Sequence, residues 1–380
     1  MAKRLKTGTS LFLALLITLF SATFFVLPQE AAVSQNGWSV SKEDVHLNQL
    51  VSLPRDAASA TGSYDSLRLY PGGMPFGVKF LTEGLLIVSL HDFPKSDGIP
   101  NPAREAGLQP NDMLLQINGS PIGSVEDLHQ RVEEGKGAPL TVLYTRNGSR
   151  HTATVTPLYA KSEGRFVTGM SVRDSGAGIG TITFIFPESG AFGGLGHGIC
   201  DGNTGKLIPM QRGSVVGVTI SGVTKGLSGS PGEVRGYFSS GKIGSLIGNT
   251  ECGVYGVLAK LPEKLPCEPM PVGLRGELKE GKAYIYCALD SPTNSRYEIE
   301  ISNIQRDSTS NKCFTVKITD PALLEKTGGI IQGMSGSPII QNGKLVGAVT
   351  HVLINDPTTG YGIFVENMLN AANMPMAKAS

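Results

Sequence analysis

Short apolar runs that stop at glycine, proline or Asn-Gly pairs recur along most of this 380-residue chain, the pattern of strands joined by tight turns. From Pro71 the reading is an extended Phe76–Phe80, a Glu83-Gly84 turn, apolar Leu85–Leu90, a Pro102–Leu108 segment and a turn at Gln109–Asp112 into Met113–Asn118. Asn118-Gly119 turns the chain again, as hairpin connections do. Ser124 is placed to cap a helix of about Val125 to Glu134, with Asp127 three residues on, a variant of the capping box. Asn147-Gly148 separates two predicted strands, Leu140–Arg146 and Arg150–Pro157. The region from about Arg165 to the end holds short apolar strands at Thr181–Phe186, Lys206–Met210, Ser214–Ile220, Tyr255–Leu261 and Tyr297–Ile301, and a short helix at Glu366–Ala372. Roughly 210 residues of this texture suit a two-barrel β architecture better than parallel α/β layers.

The first residues break this pattern. Lys3, Arg4 and Lys6 precede an apolar run from Leu11 to Leu27 that ends at Pro28. Such a run is at the lower limit for spanning a bilayer, and basic residues ahead of it hold the N-terminus in the cytoplasm. Residues 1–28 are therefore expected to be a signal anchor or transmembrane segment, with a cleaved signal peptide as the alternative. The rest of the chain is expected outside the cytoplasm, beginning with a linker over residues 29–70.

Composition narrows the class. Forty-nine glycines and 23 prolines favour many short strands, and 40% hydrophobic content over this length predicts two folded units. A formal net charge of +1 gives no reason to expect nucleic acid as a partner. The five cysteines form no C-x-x-C pair, so metal-site spacing is absent and no cofactor is implied. Cys200, three residues after His197, is weighed as a thiol nucleophile and read as a packed residue.

The candidate chemistry lies in Gly333-Met334-Ser335-Gly336-Ser337-Pro338, with His197 138 positions upstream in Gly-Leu-Gly-His-Gly. A reactive serine needs a turn that exposes its hydroxyl, backbone N–H groups converging on one point, and an imidazole brought from elsewhere in the fold. Ser335 is the nucleophile of this reading, His197 its general base, and the N–H groups of Gly333 and Ser335 the oxyanion hole. A similar segment, Gly226-Leu227-Ser228-Gly229-Ser230-Pro231, starts too soon after His197, because the two barrels of such an enzyme supply base and nucleophile separately. An α/β-hydrolase elbow is disfavoured: Ser337 stands where that turn needs glycine, and His351 follows Ser335 by only 16 residues. His351 is the rival base. Asp320, Asp201, Asp174 and Asp290 are candidates for the group that orients the imidazole.

Two resemblances sharpen the expectation. Ala103-x-x-Ala106-Gly107-Leu108, Asp112-x-Leu114-Leu115-x-Ile117-Asn118-Gly119 and the helix after them resemble PDZ domains, over residues 71–160. The resemblance implies that Phe76, Gly77 and Val78 bind a peptide, which adds as a strand; Leu128 and Val132 fit either the groove or the core. After the anchor almost the whole chain, through Gly196-His197-Gly198, Lys317-Ile318-Thr319-Asp320-Pro321, Gly328–Pro338 and Gly347–Val352, resembles the stage IV sporulation protein B family. That resemblance implies a mainly β molecule in which an N-terminal membrane anchor and a PDZ domain precede a chymotrypsin-like double-barrel serine protease domain at 165–380. It implies His197 and Ser335 as catalytic and Asp320 as the orienting acid, although an acid 15 residues before the nucleophile departs from the trypsin-like order and leaves a Ser-His dyad open. It further implies residence in the intermembrane space of the forespore, self-cleavage, and cleavage of a protein in a membrane-associated regulatory complex, with a PDZ-bound peptide from its own chain or a partner. A catalytically silent PDZ adaptor is the alternative.

Overall fold

The computed structural model describes residues 64–377, apart from 95–96, 203, 264, 266 and 290–294. The expected anchor at 1–28 and most of the expected linker lie outside the described residues, among which no helix is long and apolar enough to cross a membrane.

In chain order the first elements are β1 (Arg68–Pro71), β2 (Pro75–Leu90), α1 (Pro102–Glu105), β3 (Met113–Ile117), β4 (Ser120–Pro121), α2 (Val125–Gly135), β5 (Leu140–Arg146), β6 (Ser149–Val155), β7 (Leu158–Ala160), β8 (Arg165–Val167) and β9 (Met170–Ile185). They are followed by β10 (Ala191–Gly194), β11 (Met210–Thr224), β12 (Glu233–Thr250), β13 (Gly253–Leu258) and β14 (Met270–Pro271). The last are β15 (Gly281–Cys287), β16 (Ser295–Ser302), β17 (Phe314–Ile318), α3 (Pro321–Thr327), β18 (Pro338–Gln341), β19 (Lys344–Leu353), β20 (Asp356–Phe364) and α4 (Val365–Ala377).

Two barrels result. Antiparallel pairing runs β2–β9–β10–β13–β12–β11 and returns to β2, which closes a first barrel around Phe76, Val78, Phe80, Ile182, Phe192 and Val215. The second is the closed barrel β15–β16–β17–β20–β19–β18. Strict alternation builds it: in β17, Phe314, Val316 and Ile318 are buried while Lys317 faces solvent, as a period of two demands when one face meets the core. This is a chymotrypsin-like architecture with each barrel holding its own apolar interior.

The PDZ unit is an insertion in the first barrel rather than a domain ahead of it. β2 and β9 pair from Pro75↔Thr181 to Leu81↔Ser175 inside the barrel, shift register, and pair again from Leu86↔Arg173 to Leu90↔Met170 inside the PDZ sheet. One pair of long strands thus serves both units. The PDZ core gathers Leu85, Ile87, Leu108, Leu114, Ile117, Leu128, Val132 and Val142, with Ser124 capping α2 through Asp127 N–H as its sequence predicts. Barrel pairing thus occurs inside the range expected for the PDZ domain, since Pro75–Leu81 of β2 pair with β9 in the first barrel.

That placement corrects the peptide-binding assignment of Phe76, Gly77 and Val78. All three lie in β2, where Gly77 pairs with Ile179 on one side and Val216 on the other. A strand bonded on both edges cannot accept a third. Phe76 is fully buried and meets Phe192 edge-on at 5.6 Å. A Cβ on Gly77 would fall 2.6 Å from the Phe238 ring and from Val216 Cγ2. Phe76 and Val78 face the barrel interior and Gly77 lies against Phe238 and Val216 on the other face of β2; the sequence motif is shared, the position is not.

Candidate active site

His197 is delivered by a turn that follows β10. Leu195 and Gly196 both take left-handed backbone, φ 66 and 69, which swings the chain out of the first barrel toward the second. Glycine is required at 196 for a second reason: a Cβ there would sit 2.9 Å from Thr350 Cγ2 and 3.1 Å from Ile363 Cγ2. The backbone of the histidine loop is pressed directly on β19 and β20.

The imidazole of His197 lies 4.9 Å, centroid to centroid, from that of His351. Its Nδ1 is 2.9 Å from the carbonyl of Gly198. A carbonyl can only accept, so Nδ1 carries the proton and Nε2 keeps its lone pair, the tautomer a general base needs. Burial holds the pKa of His197 below its ordinary value, partly opposed by the Gly198 carbonyl. His351 is driven down to about 3 by burial, then by His197 and Lys312, so it is neutral, and its buried Nδ1 has no hydrogen-bond partner among the described residues.

Ser335 sits in the loop between α3 and β18, and that loop is fastened to the first barrel. Thr181 N–H donates to Ser335 O at 3.0 Å and Thr181 O accepts from Leu195 N–H at 3.1 Å, so one residue of β9 holds both the nucleophile loop and the histidine loop. The Thr181 hydroxyl donates to Gly333 O at 2.7 Å and that of Thr183 to Gly336 O at 2.8 Å. Gly336, φ 96, allows this approach, since a Cβ there would stand 2.0 Å from Thr181 O. The sequence marks Thr181 and Thr183 only as part of the expected strand Thr181–Phe186.

The loop's remaining N–H groups define what it can do. Met334 N–H goes to Ile331 O, Gly336 N–H to Val349 O and Ser337 N–H to Met334 O. Among the described residues the N–H groups of Gly333 and Ser335 find no acceptor, and they are the pair that the sequence singled out for the oxyanion. Donors left unbonded and held by a rigid frame stabilise developing charge at no cost of reorganisation. The Ser335 hydroxyl itself donates to Thr350 O at 2.7 Å. Hydroxyl and imidazole therefore meet two adjacent residues of β19, Thr350 and His351.

Other candidates fall elsewhere. Asp320 is the N-cap of α3: its Oδ1 accepts from Ala322 and Leu323 N–H at 3.0 and 3.1 Å, and its Oδ2 from Glu298 N–H at 3.2 Å. Both oxygens are thus spent on backbone, and the group at Nδ1 of His197 is Gly198 O, which corrects the expectation of Asp320 as the orienting acid. Asp174 Oδ2 accepts from Val125 N–H at the start of α2, and Asp201 Oδ1 accepts from Thr204. Asp290 lies outside the described residues. Ser228 donates to Asn355 O at 2.9 Å on the surface of the second barrel. Burial pushes the Cys200 thiol up, which keeps it protonated and poorly nucleophilic.

A family model described as SpoIVB peptidase S55 matches residues 164–369, and a PDZ domain model matches residues 100–146. The protein named as the protease eep of Enterococcus faecalis is 46% identical over 66 residues, which is 17% of this chain and 16% of that protein; the chain thus spans only a small part of that relative. Among solved structures, the HtrA-type protease AlgW with a decapeptide has a TM-score of 0.33 at 12% identity, covering 55% of this chain and 54% of that one. The Rv3671c protease from M. tuberculosis, in its active form, has a TM-score of 0.29 at 16% identity, covering 53% and 74%. The family match covers more than half of the chain and includes His197 and Ser335, and the chain belongs to the SpoIVB peptidase S55 family of serine peptidases.

Proposed function

We propose that this serine peptidase is a sporulation endopeptidase, held at the forespore membrane by its N-terminal segment, that cleaves itself and then a protein of a membrane-associated regulatory complex. In this reading Ser335 attacks a peptide carbonyl and His197 Nε2 takes the hydroxyl proton. The oxyanion enters the N–H pair of Gly333 and Ser335, the imidazolium protonates the leaving amine, and water then hydrolyses the acyl-enzyme. The observation that carries it is the fastening of the nucleophile loop and the histidine loop to the same residue, Thr181, which fixes base and nucleophile relative to each other across the two barrels. The bond from Ser335 to Thr350 O is the resting state, and rotation of the hydroxyl toward His197 begins the reaction.

The PDZ unit would hold a peptide from the chain itself or from a partner. The edge available for it is Met170–Arg173 of β9, whose strand partner there among the described residues is β2 alone, beside the start of α2 at Val125 and Asp174. A peptide laid there would extend the strand that leads to Thr181.

N-terminal sequencing of the protein accumulated by wild-type and Ser335→Ala cells tests the reading. A shortened wild-type chain and a full-length variant support self-cleavage; identical N-termini in both refute it.

A further inference from the structure

Beyond the barrel wall β11 and β12 continue as a two-stranded ribbon, paired from Val218↔Phe238 to Thr224↔Glu233 with one register shift between Ile220 and Gly222, and this ribbon crosses to the second barrel. Its tip is the Gly226–Pro231 segment that resembles the nucleophile loop in sequence. Gly226 N–H donates to Thr327 O and Gly229 N–H to Ile354 O, both at 2.8 Å, and Ser228 bonds Asn355 O. Just behind the tip the ribbon meets the residue before Gly333: Val234 N–H donates to Gln332 O and Gln332 N–H donates to Gly232 O, each at 2.8 Å. Val234 Cβ lies 3.0 Å from where a Cβ on Gly333 would stand.

The consequence follows from peptide geometry. Carbonyl and N–H of a trans peptide point in opposite directions. Holding Gln332 O on the ribbon therefore turns the N–H of Gly333, one of the two oxyanion donors, away from the ribbon. Gly333 has φ 98, and a glycine crosses between backbone regions at little cost. Unrestrained, the Gln332–Gly333 peptide could invert and present a carbonyl dipole to a developing negative charge.

We infer that the ribbon is a positioning clasp for the oxyanion peptide: Val234 N–H and Gly232 O, brought from the first barrel, set the orientation in which Gly333 N–H serves the transition state. The inference rests on Ser335 as the nucleophile. It makes hydrolysis depend on the docking of a first-barrel element onto the second, at positions that touch neither substrate nor imidazole.

Val234→Pro changes the side chain, places a ring carbon toward Gln332 O and deletes the N–H that Gln332 O accepts. Val234→Ala keeps that N–H. A second variant replaces residues 225–232 by Asn-Gly, joining the register partners Thr224 and Glu233 through a two-residue turn. Each full-length variant is assayed for hydrolysis of p-nitrophenyl acetate and for inhibition by phenylboronic acid, which adds to the serine as a tetrahedral anion. The clasp predicts that Val234→Pro and the tip replacement lower kcat on the order of 100-fold with KM little changed, and raise the boronic acid inhibition constant by the same factor. Val234→Ala should fall far less. Unchanged or increased kcat in Val234→Pro overturns the inference, an increase marking the ribbon as an occluding lid instead, and equal losses in Val234→Ala and Val234→Pro overturn it in favour of side-chain packing. If the tip replacement loses its cooperative thermal transition, the proline–alanine comparison decides alone. Ser335→Ala measured alongside separates the two layers: hydrolysis that survives it refutes the nucleophile, whereas hydrolysis lost in it but indifferent to Val234→Pro refutes only the clasp.

Discussion

The hydroxyl of Ser335 donates to the carbonyl of Thr350 at 2.7 Å, and the next residue, His351, has its ring against that of His197. Nucleophile and base thus come from opposite barrels to the same short stretch of β19. A serine with no charge partner depends on the neutral imidazole to become reactive.

That dependence sets a pH profile. Burial lowers the pKa of His197 below 6.5, so the base is already deprotonated at neutral pH. The rate of fluorophosphonate labelling should rise with pH through a midpoint below 6.5 and level off above it. A midpoint above 6.5 would show that an acid stabilises the imidazolium, contrary to the Gly198 carbonyl being its orienting group.

His351 predicts a pH effect on stability. Its folded pKa is about 3, below the unfolded value of about 6.5, so between those values the unfolded chain binds the extra proton. Stability from this group is present in full above pH 6.5 and is lost as pH falls toward 3, by at most about 1.4 kcal/mol per pH unit. Chemical denaturation at pH 7 and pH 5 should show a smaller loss in His351→Phe than in the wild type. An equal loss in both would place the titration elsewhere.

Asp320 separates a cap from a catalytic acid. Loss of an N-cap costs about 0.5–2 kcal/mol, so Asp320→Ala should lower the thermal midpoint, and Asp320→Asn, which keeps the cap on Ala322 and Leu323 N–H but loses the bond from Glu298 N–H, should lower it less. Ester hydrolysis at a temperature where each is folded should stay within a few-fold of wild type. Loss of an orienting acid costs on the order of 10⁴ in kcat, and a drop of that size in folded Asp320→Asn would restore it to the catalytic group.

Thr181→Val keeps the volume and both backbone bonds of the bridge but leaves Gly333 O without the hydroxyl that now donates to it. A buried acceptor stripped of its partner costs about 1–3 kcal/mol, and the part-buried Gly333 O sets that range as an upper bound. Both a lower denaturation midpoint and a reduced kcat are expected, since the strain falls on the oxyanion loop. A wild-type kcat at reduced stability would limit Thr181 to a structural role.

Local chemistry was legible in the sequence where it is local in space. Glycines around Ser335 and His197 marked the turns, Ser124 marked the helix it caps, and Asn147-Gly148 marked its hairpin. What failed was long range. Pro75–Phe80 carries a PDZ-like motif, yet β2 and β9 are long enough to cross from one unit into the other, and no local pattern says which barrel closes on Phe76. Asp320 stands before a proline in both readings; only its bonds to Glu298, Ala322 and Leu323 tell a cap from a triad acid. The expected strand at Lys206–Met210 reduces to a bridge between Leu207 and Cys200, with β11 starting at Met210, because the long ribbon that follows takes over the pairing. Thr181 gave no signal at all: its role exists only once two loops over 130 residues apart meet at its backbone.

The central claim is that Ser335 is activated by His197 across the two barrels. Labelling of the full-length protein with a fluorophosphonate, read by peptide mass, tests it most directly. The account predicts modification at Ser335 that disappears in His197→Ala while the fold, followed by thermal unfolding, persists. Modification at Ser228 or another serine, or labelling of Ser335 at an undiminished rate without the imidazole, would contradict it.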